Sequence, residues 1–152
     1  AQLMKGRIQL KLKDFDSARQ TFRDLLSVRE WRGEAYAEAT LELGKVEEAA
    51  GDLKQAFAWY QRAYFQYKGY ANGVFAAEGY LASARCLQAL GQENDVRNTY
   101  RAMLFDKYVN QLPQADVARK TLGPAEVEEI NLMLTNGVQP NLTESVGAEG
   151  AK

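Results

Sequence analysis

"GDLKQAFAWYQRAYFQYKGY", residues 51–70, decides how this chain is read. Its last fourteen positions, from Phe57 onward, hold two phenylalanines, one tryptophan and four tyrosines. That density fits either a ligand platform or the packed face of a helix, and spacing separates the two. Phe57, Tyr60, Tyr64 and Tyr67 recur at intervals of three, four and three, which is one stripe of an α-helix. With Ala56 and Ala63 beside Tyr60, the stripe reads as core. Trp59, at the border of the stripe, Phe65 and Tyr70 remain as exposed aromatic candidates for contact with a peptide or protein. Stacking on nucleic acid would want these rings interleaved with an excess of Arg and Lys, and only Arg62 and Lys68 accompany them, so no nucleic-acid partner is expected.

The first half of the stretch has copies. "KDFDSARQTF" at 13–22 and "GQENDVRNTY" at 91–100 align without gaps to "GDLKQAFAWY" at 51–60. A small residue stands twelve positions before the matching Ala18, Ala56 or Val96: Gly6, Gly44 or Ala84. Four positions after that comes an aromatic (Phe22, Tyr60, Tyr100), and three further on Leu25, Ala63 or Met103. A helix hairpin repeated three times explains the pattern. Two closely crossing helices need small side chains at the contact, so Gly or Ala in the first helix should face Ala or Val in the second, with the aromatic filling the gap beyond. Lys13-Asp14, Gly51-Asp52 and Gly91-Gln92 lie between the helical patterns, where Gly ends one helix and Asp starts the next. No sustained period-two alternation indicates strands.

These residues resemble the tetratricopeptide repeat family, whose signature is a small residue in the first helix and an Ala-x-x-x-aromatic step in the second. "AFAWYQRA" matches best, "ARQTFRDL" well, and "VRNTYRAM" is a degenerate third copy. The resemblance implies an all-α fold: a right-handed α-α superhelix of hairpins over residues 1–108, divided at about 1–32, 33–70 and 71–108. The matching positions are 38 and then 40 residues apart, against about 34 in the usual repeat. The added residues fall in "VREWRGEAY" and "QYKGYANGVF" or in adjoining helix ends. Stretched repeats of this kind resemble those of bacterial cell-envelope members of the family, including outer-membrane assembly lipoproteins and Tol-Pal-associated coordinators, which implies a periplasmic or envelope setting, with the cytoplasm as the alternative.

Beyond the third unit, residues 109–136 read as C-terminal capping helices: a short one carrying Val117 and Leu122, a stop at Gly123-Pro124, then "PAEVEEINLML", with Pro at its first position and early glutamates suited to the helix dipole. Asn136-Gly137 is its expected end. The segment 137–152 has little to bury and is expected to be a mobile tail; its Asn141-Leu142-Thr143 spells a glycosylation acceptor, a triplet frequent by chance.

Composition narrows the chemistry. Of 152 residues, 46% are hydrophobic and 26% charged, a globular balance, and 19 basic against 20 acidic residues create no broad field for polyanions. There is no histidine and one cysteine. The commonest general base and metal ligand are therefore missing, and Cys86, in the apolar "LASARCLQAL", reads as a small core residue. Glu47-Glu48 and Glu128-Glu129 diverge by about 100° around their helices and read as exposed rather than as a catalytic pair. No catalytic residues, cofactor or metal are expected, and no segment is apolar enough to span a membrane. Beginning at Ala1 inside a helical pattern, the sequence reads as a processed chain or an excised piece.

One further pattern marks the first helices. Each carries a base four residues after a leucine and directly after the small residue: Leu3 and Arg7, Leu41 and Lys45, Leu81 and Arg85. In the family this face lines the concave groove. The resemblance therefore implies a non-catalytic interaction scaffold whose leucines and bases receive a peptide or partner helix, one of acidic character. Glu38, Glu42, Glu48 and Glu78 lie near the same positions, so the alternative is a mixed-charge solvated face. A second functional reading is a structural or self-associating segment of a longer array, a homo-oligomer included.

Overall fold

The computed structural model describes residues 1–29 and 33–138. Among these residues the chain is all-helical: α1 (Gln2–Lys11), α2 (Phe15–Ser27), α3 (Glu34–Ala50), α4 (Leu53–Gln66), a 3-10 turn (Tyr70–Gly73), α5 (Val74–Ala89), α6 (Glu93–Phe105), α7 (Ala115–Leu122) and α8 (Pro124–Thr135). Each helix packs on the next, and α1, α3 and α5 also touch in succession along one side. That neighbour-only pattern is the organisation of a helical repeat array.

The three hairpin turns share one backbone design. Lys13, Gly51 and Gly91 all have left-handed φ, 60°, 89° and 74°. The following amide reaches back five residues in each case: Asp14 to the Gln9 carbonyl at 2.9 Å, Asp52 to Glu47 at 2.9 Å, Gln92 to Leu87 at 3.0 Å. These bonds close the orphan carbonyls of the first helix in a Schellman arrangement. The second helix is then capped by the Asp carboxylate, which accepts from the Ser17 amide at 3.3 Å in the first hairpin and from the Gln55 amide at 3.1 Å in the second. Gln92 makes no such cap, in keeping with the weaker third copy.

Inside each hairpin the small residue meets the aromatic ring itself rather than the Ala or Val expected opposite it. A β-carbon on Gly6 would stand 2.5 Å from the Phe22 ring, and one on Gly44 only 2.4 Å from Tyr60. Both rings are enclosed, at 0% and 1% exposure. The ring needs the whole space over the first helix, and Ala18 and Ala56, fully buried, let the second helix carry it there. In the third hairpin Ala84 takes the glycine position and Tyr100 is left partly exposed, as a β-carbon there requires of a ring seated like Tyr60.

Between hairpins, Tyr64 of α4 stacks on Tyr80 of α5, ring centroids 3.9 Å apart, and the Tyr80 hydroxyl donates to Asp106 at 3.0 Å. The connector after α4 turns through Ala71, Asn72 and Gly73, all with positive φ. At the C-terminal end, Ala115, Ala118 and Leu122 of α7 and Ile130 of α8 close the core around Met103 and Val109. Of the two apolar residues read in this helix, Leu122 is buried and Val117 is 44% exposed, because the stripe that packs is 115, 118 and 122. Helix α8 begins at Pro124 and ends at Asn136-Gly137, where Gly137 has φ 70°. The tail from 139 onward, including the Asn141 triplet, lies outside the described residues, as do 30–32 of the first connector.

Candidate functional site: the groove between first helices

The three aligned bases of the first helices, Arg7, Lys45 and Arg85, are all engaged by acids of α3. Arg7 donates from Nε to Glu42 at 3.0 Å and also bonds Glu38. Lys45 donates to the same Glu42 oxygen at 2.9 Å. Arg85, on α5, grips Glu48 with Nε at 2.7 Å and Nη2 at 2.8 Å, while the Tyr60 hydroxyl donates to Glu48 at 2.7 Å. Glu38, Glu42 and Glu48 thus stitch α3 to α1 on one side and to α5 on the other. The Arg85 guanidinium, and then the Tyr60 hydroxyl, hold the Glu48 carboxyl below the usual carboxylate range in spite of its burial. Glu48 in turn raises Arg85 further, and burial followed by Glu48 pushes the Tyr60 hydroxyl well above its ordinary value. Hydrogen bonding to the charged form sets the direction for the ion pair.

Two of the three leucine-base pairs converge. A cavity of about 220 Å³ lies between α3 and α5, with Leu41, Leu81, Ala82 and Tyr60 forming its apolar wall and Lys45, Arg85 and Glu78 its charged rim. Glu78 is exposed and makes no ion pair with the described residues. Leu3 and Arg7 stand apart: Leu3 packs on the core of the first hairpin around Phe22 and Leu43, and Arg7 serves the α1–α3 junction. Sequence spacing placed the six residues on equivalent faces; the junction of helices decides which pairs share a cavity.

One functional pairing escaped the sequence reading. Arg19 of α2 holds Glu47 with Nε at 2.8 Å and Nη2 at 2.9 Å, and Glu47 is only 5% exposed. Glu47 is therefore a buried inter-hairpin clasp rather than the exposed residue expected. Its position three after Gly44 and four after Leu43 was the available signal, since both neighbours face the core. Glu128 and Glu129 are exposed.

Of the aromatic candidates, Phe65 is 58% exposed and Tyr70 40%. Trp59 is partly buried against the Phe22 core, with the Arg62 guanidinium 4.6 Å over its ring. Tyr108, which the spacing did not single out, is also exposed and lies beside Gly69. Cys86 is fully buried, and burial pushes its thiol up to about 11. Among the described residues no group of three or more His, Cys, Asp or Glu is placed to hold a metal ion, and no helix is long and apolar enough to cross a membrane.

A family model described as tetratricopeptide repeat matches residues 3–71, which spans the first two hairpins and reaches the connector before α5. Comparisons with curated proteins and with solved structures returned no match. Members of this repeat family generally act as non-enzymatic scaffolds that bind proteins or peptides. The third hairpin, with its equivalent turn and Tyr100 packed on the cluster of Ala84, Leu87 and Val96, continues the same helical architecture. Residues 3–71 thus carry the tetratricopeptide repeat pattern that the family model describes, and the helices built on them pack as a repeat array.

Proposed function

We propose that the chain is a protein-interaction module that receives a peptide or partner helix in the groove between α3 and α5. The cavity bounded by Leu41 and Leu81 carries this reading, because it is concave, apolar at its base and ringed by groups able to orient a ligand. Leu41, Lys45, Leu81 and Arg85 are its contact residues. Leu3 and Arg7 contribute by holding α1 against α3. The pairing of every base with an α3 carboxylate leaves little cationic field for an acidic partner, so the apolar part of the expected recognition is the part carried forward. The test is parallel capture by the wild type and by Leu81→Arg, which sits on a half-buried position and should keep the helical content. Partners retained by the wild type and lost by the variant support the groove; identical retention refutes it.

A second reading has its own observation. Met4, Ile8 and Leu12 form an exposed apolar row along α1, 60%, 51% and 74% accessible. Such a row favours self-association or packing within a longer array. Sedimentation separates the two: a concentration-dependent oligomer abolished by Ile8→Lys supports the second, a monomer the first. The stretched repeat period is what supports a bacterial cell-envelope setting, and fractionation of the native protein checks it.

A further inference from the structure

We infer that the α3–α5 pocket selects a basic, apolar partner segment: an aliphatic side chain seated on Leu41 and Leu81, with a nearby Lys or Arg paired to Glu78. The inference rests on the groove reading above and specifies its ligand. Its basis is which charges are committed and which are not.

Arg85 spends both Nε and Nη2 on Glu48. To meet an incoming carboxylate it would leave Glu48, partly buried, with the Tyr60 hydroxyl alone. Lys45 helps to neutralise Glu42, which is 3% exposed and whose other partner is Arg7. Drawing Arg85 away leaves a partly buried anion without a cation, and drawing Lys45 away leaves the buried Glu42 to Arg7 alone; such losses offset what a new surface pair returns. Among the described residues Glu78 has no counter-charge to lose. Around the pocket, Lys45 and Arg85 are each paired to a carboxylate, Glu42 and Glu48, and Glu78 is the lining charge left without a counter-ion among the described residues. An incoming cation therefore gains a partner without breaking one.

Spacing along α5 sets where that cation must be. Glu78, Leu81, Ala82 and Arg85 share a face at intervals of three, four and seven. Glu78 thus lies about one helical turn, roughly 5 Å, from the apolar wall. An adjacent or next-but-one residue of an extended partner spans that distance.

The experiment is a display selection of random 12-residue peptides against the folded protein, the wild type beside Glu78→Lys, Glu78→Gln and Leu81→Ser, each checked for helicity by circular dichroism. The wild type should enrich an aliphatic residue with Lys or Arg within two positions. The selected peptide should bind Glu78→Gln up to about five-fold more weakly, the range of one exposed ion pair, while Glu78→Lys should shift enrichment toward Asp and Glu and keep the aliphatic preference. An acidic wild-type pool, or a pool whose charge is indifferent to Glu78, overturns the inference and leaves the groove standing. Enrichment that survives Leu81→Ser, or no enrichment from any variant, overturns the groove reading and the inference with it. A wild-type oligomer dispersed by Leu81→Ser assigns the pocket to a second copy and also overturns the inference.

Discussion

Replacing Gly44 with Ala tests the contact on which the hairpin depends. The added β-carbon would stand 2.4 Å from Tyr60 Cε1 and 2.6 Å from Cδ1. Ordinary contact begins at 3.4 Å, so the ring edge must retreat by about 1 Å. It has no room, because Tyr60 is 1% exposed and its hydroxyl is tied at 2.7 Å to a carboxylate that Arg85 already fixes. Overpacking costs about 1–3 kcal/mol, and losing a hydrogen bond to a charged acceptor about 1.5–3 kcal/mol. The better helix propensity of Ala returns about 1 kcal/mol. The net expectation is destabilisation by about 3 kcal/mol, or a fall in Tm of about 6–12 °C for a chain of this size. Urea and thermal unfolding followed by circular dichroism measure it. A double-mutant cycle adds a sharper readout: Tyr60→Phe should cost about 2 kcal/mol in the wild type and much less in the Gly44→Ala background, where the bond is already disturbed. A Gly44→Ala protein as stable as the wild type, or more stable, would show that helix propensity outweighs the ring contact and would refute the reasoning.

The turn, the clasp and the Glu48 ion pair each yield a further outcome. Lys13 holds a left-handed φ of 60° that Gly51 and Gly91 adopt without a side chain; Lys13→Gly should stabilise by up to about 1 kcal/mol and Gly51→Ala, which meets no steric contact, should destabilise by about the same amount in chemical denaturation. Arg19→Ala leaves the Glu47 carboxylate buried without its partner and should cost about 3 kcal/mol, most of it recovered in the Arg19→Ala/Glu47→Gln double variant. Because the folded state lowers the Glu48 carboxyl, its contribution is fully present above the ordinary carboxylate range of about 4.3 and is lost as pH falls through the lower folded value. Glu48→Gln should therefore lower stability at pH 7 and flatten the acid limb of a stability–pH profile.

The repeat was legible because packing constraints recur: the small residue, the Ala-x-x-x-aromatic step and the turn pair return at fixed distances, and one helix hairpin satisfies all three. Lys13 shows the same legibility at the backbone level, since alignment with Gly51 and Gly91 marks it as the left-handed position despite its side chain. What the spacing hid were relations between hairpins. Alignment made Leu3–Arg7 equivalent to Leu41–Lys45 and Leu81–Arg85, yet Leu3 is absorbed by the Phe22 core and Arg7 is taken up at the α1–α3 junction. Charge type alone likewise showed bases and acids on neighbouring positions without saying which pair across helices. Glu42, Glu47 and Glu48 acquire their partners from other helices only when α1, α2 and α5 come to rest on α3. The groove's electrostatics are a property of that superposition rather than of any single helix.

The most direct test of the account is a methyl-resolved NMR titration of the protein with the tightest peptide from the display selection. With the peptide seated in the groove, the Leu41, Leu81 and Ala82 methyls shift together and saturably, and Leu3 and Leu132 stay unmoved. Shifts confined to residues beside Phe65, Tyr70 and Tyr108, or to the exposed row Met4, Ile8 and Leu12, with Leu41 and Leu81 silent, would contradict it.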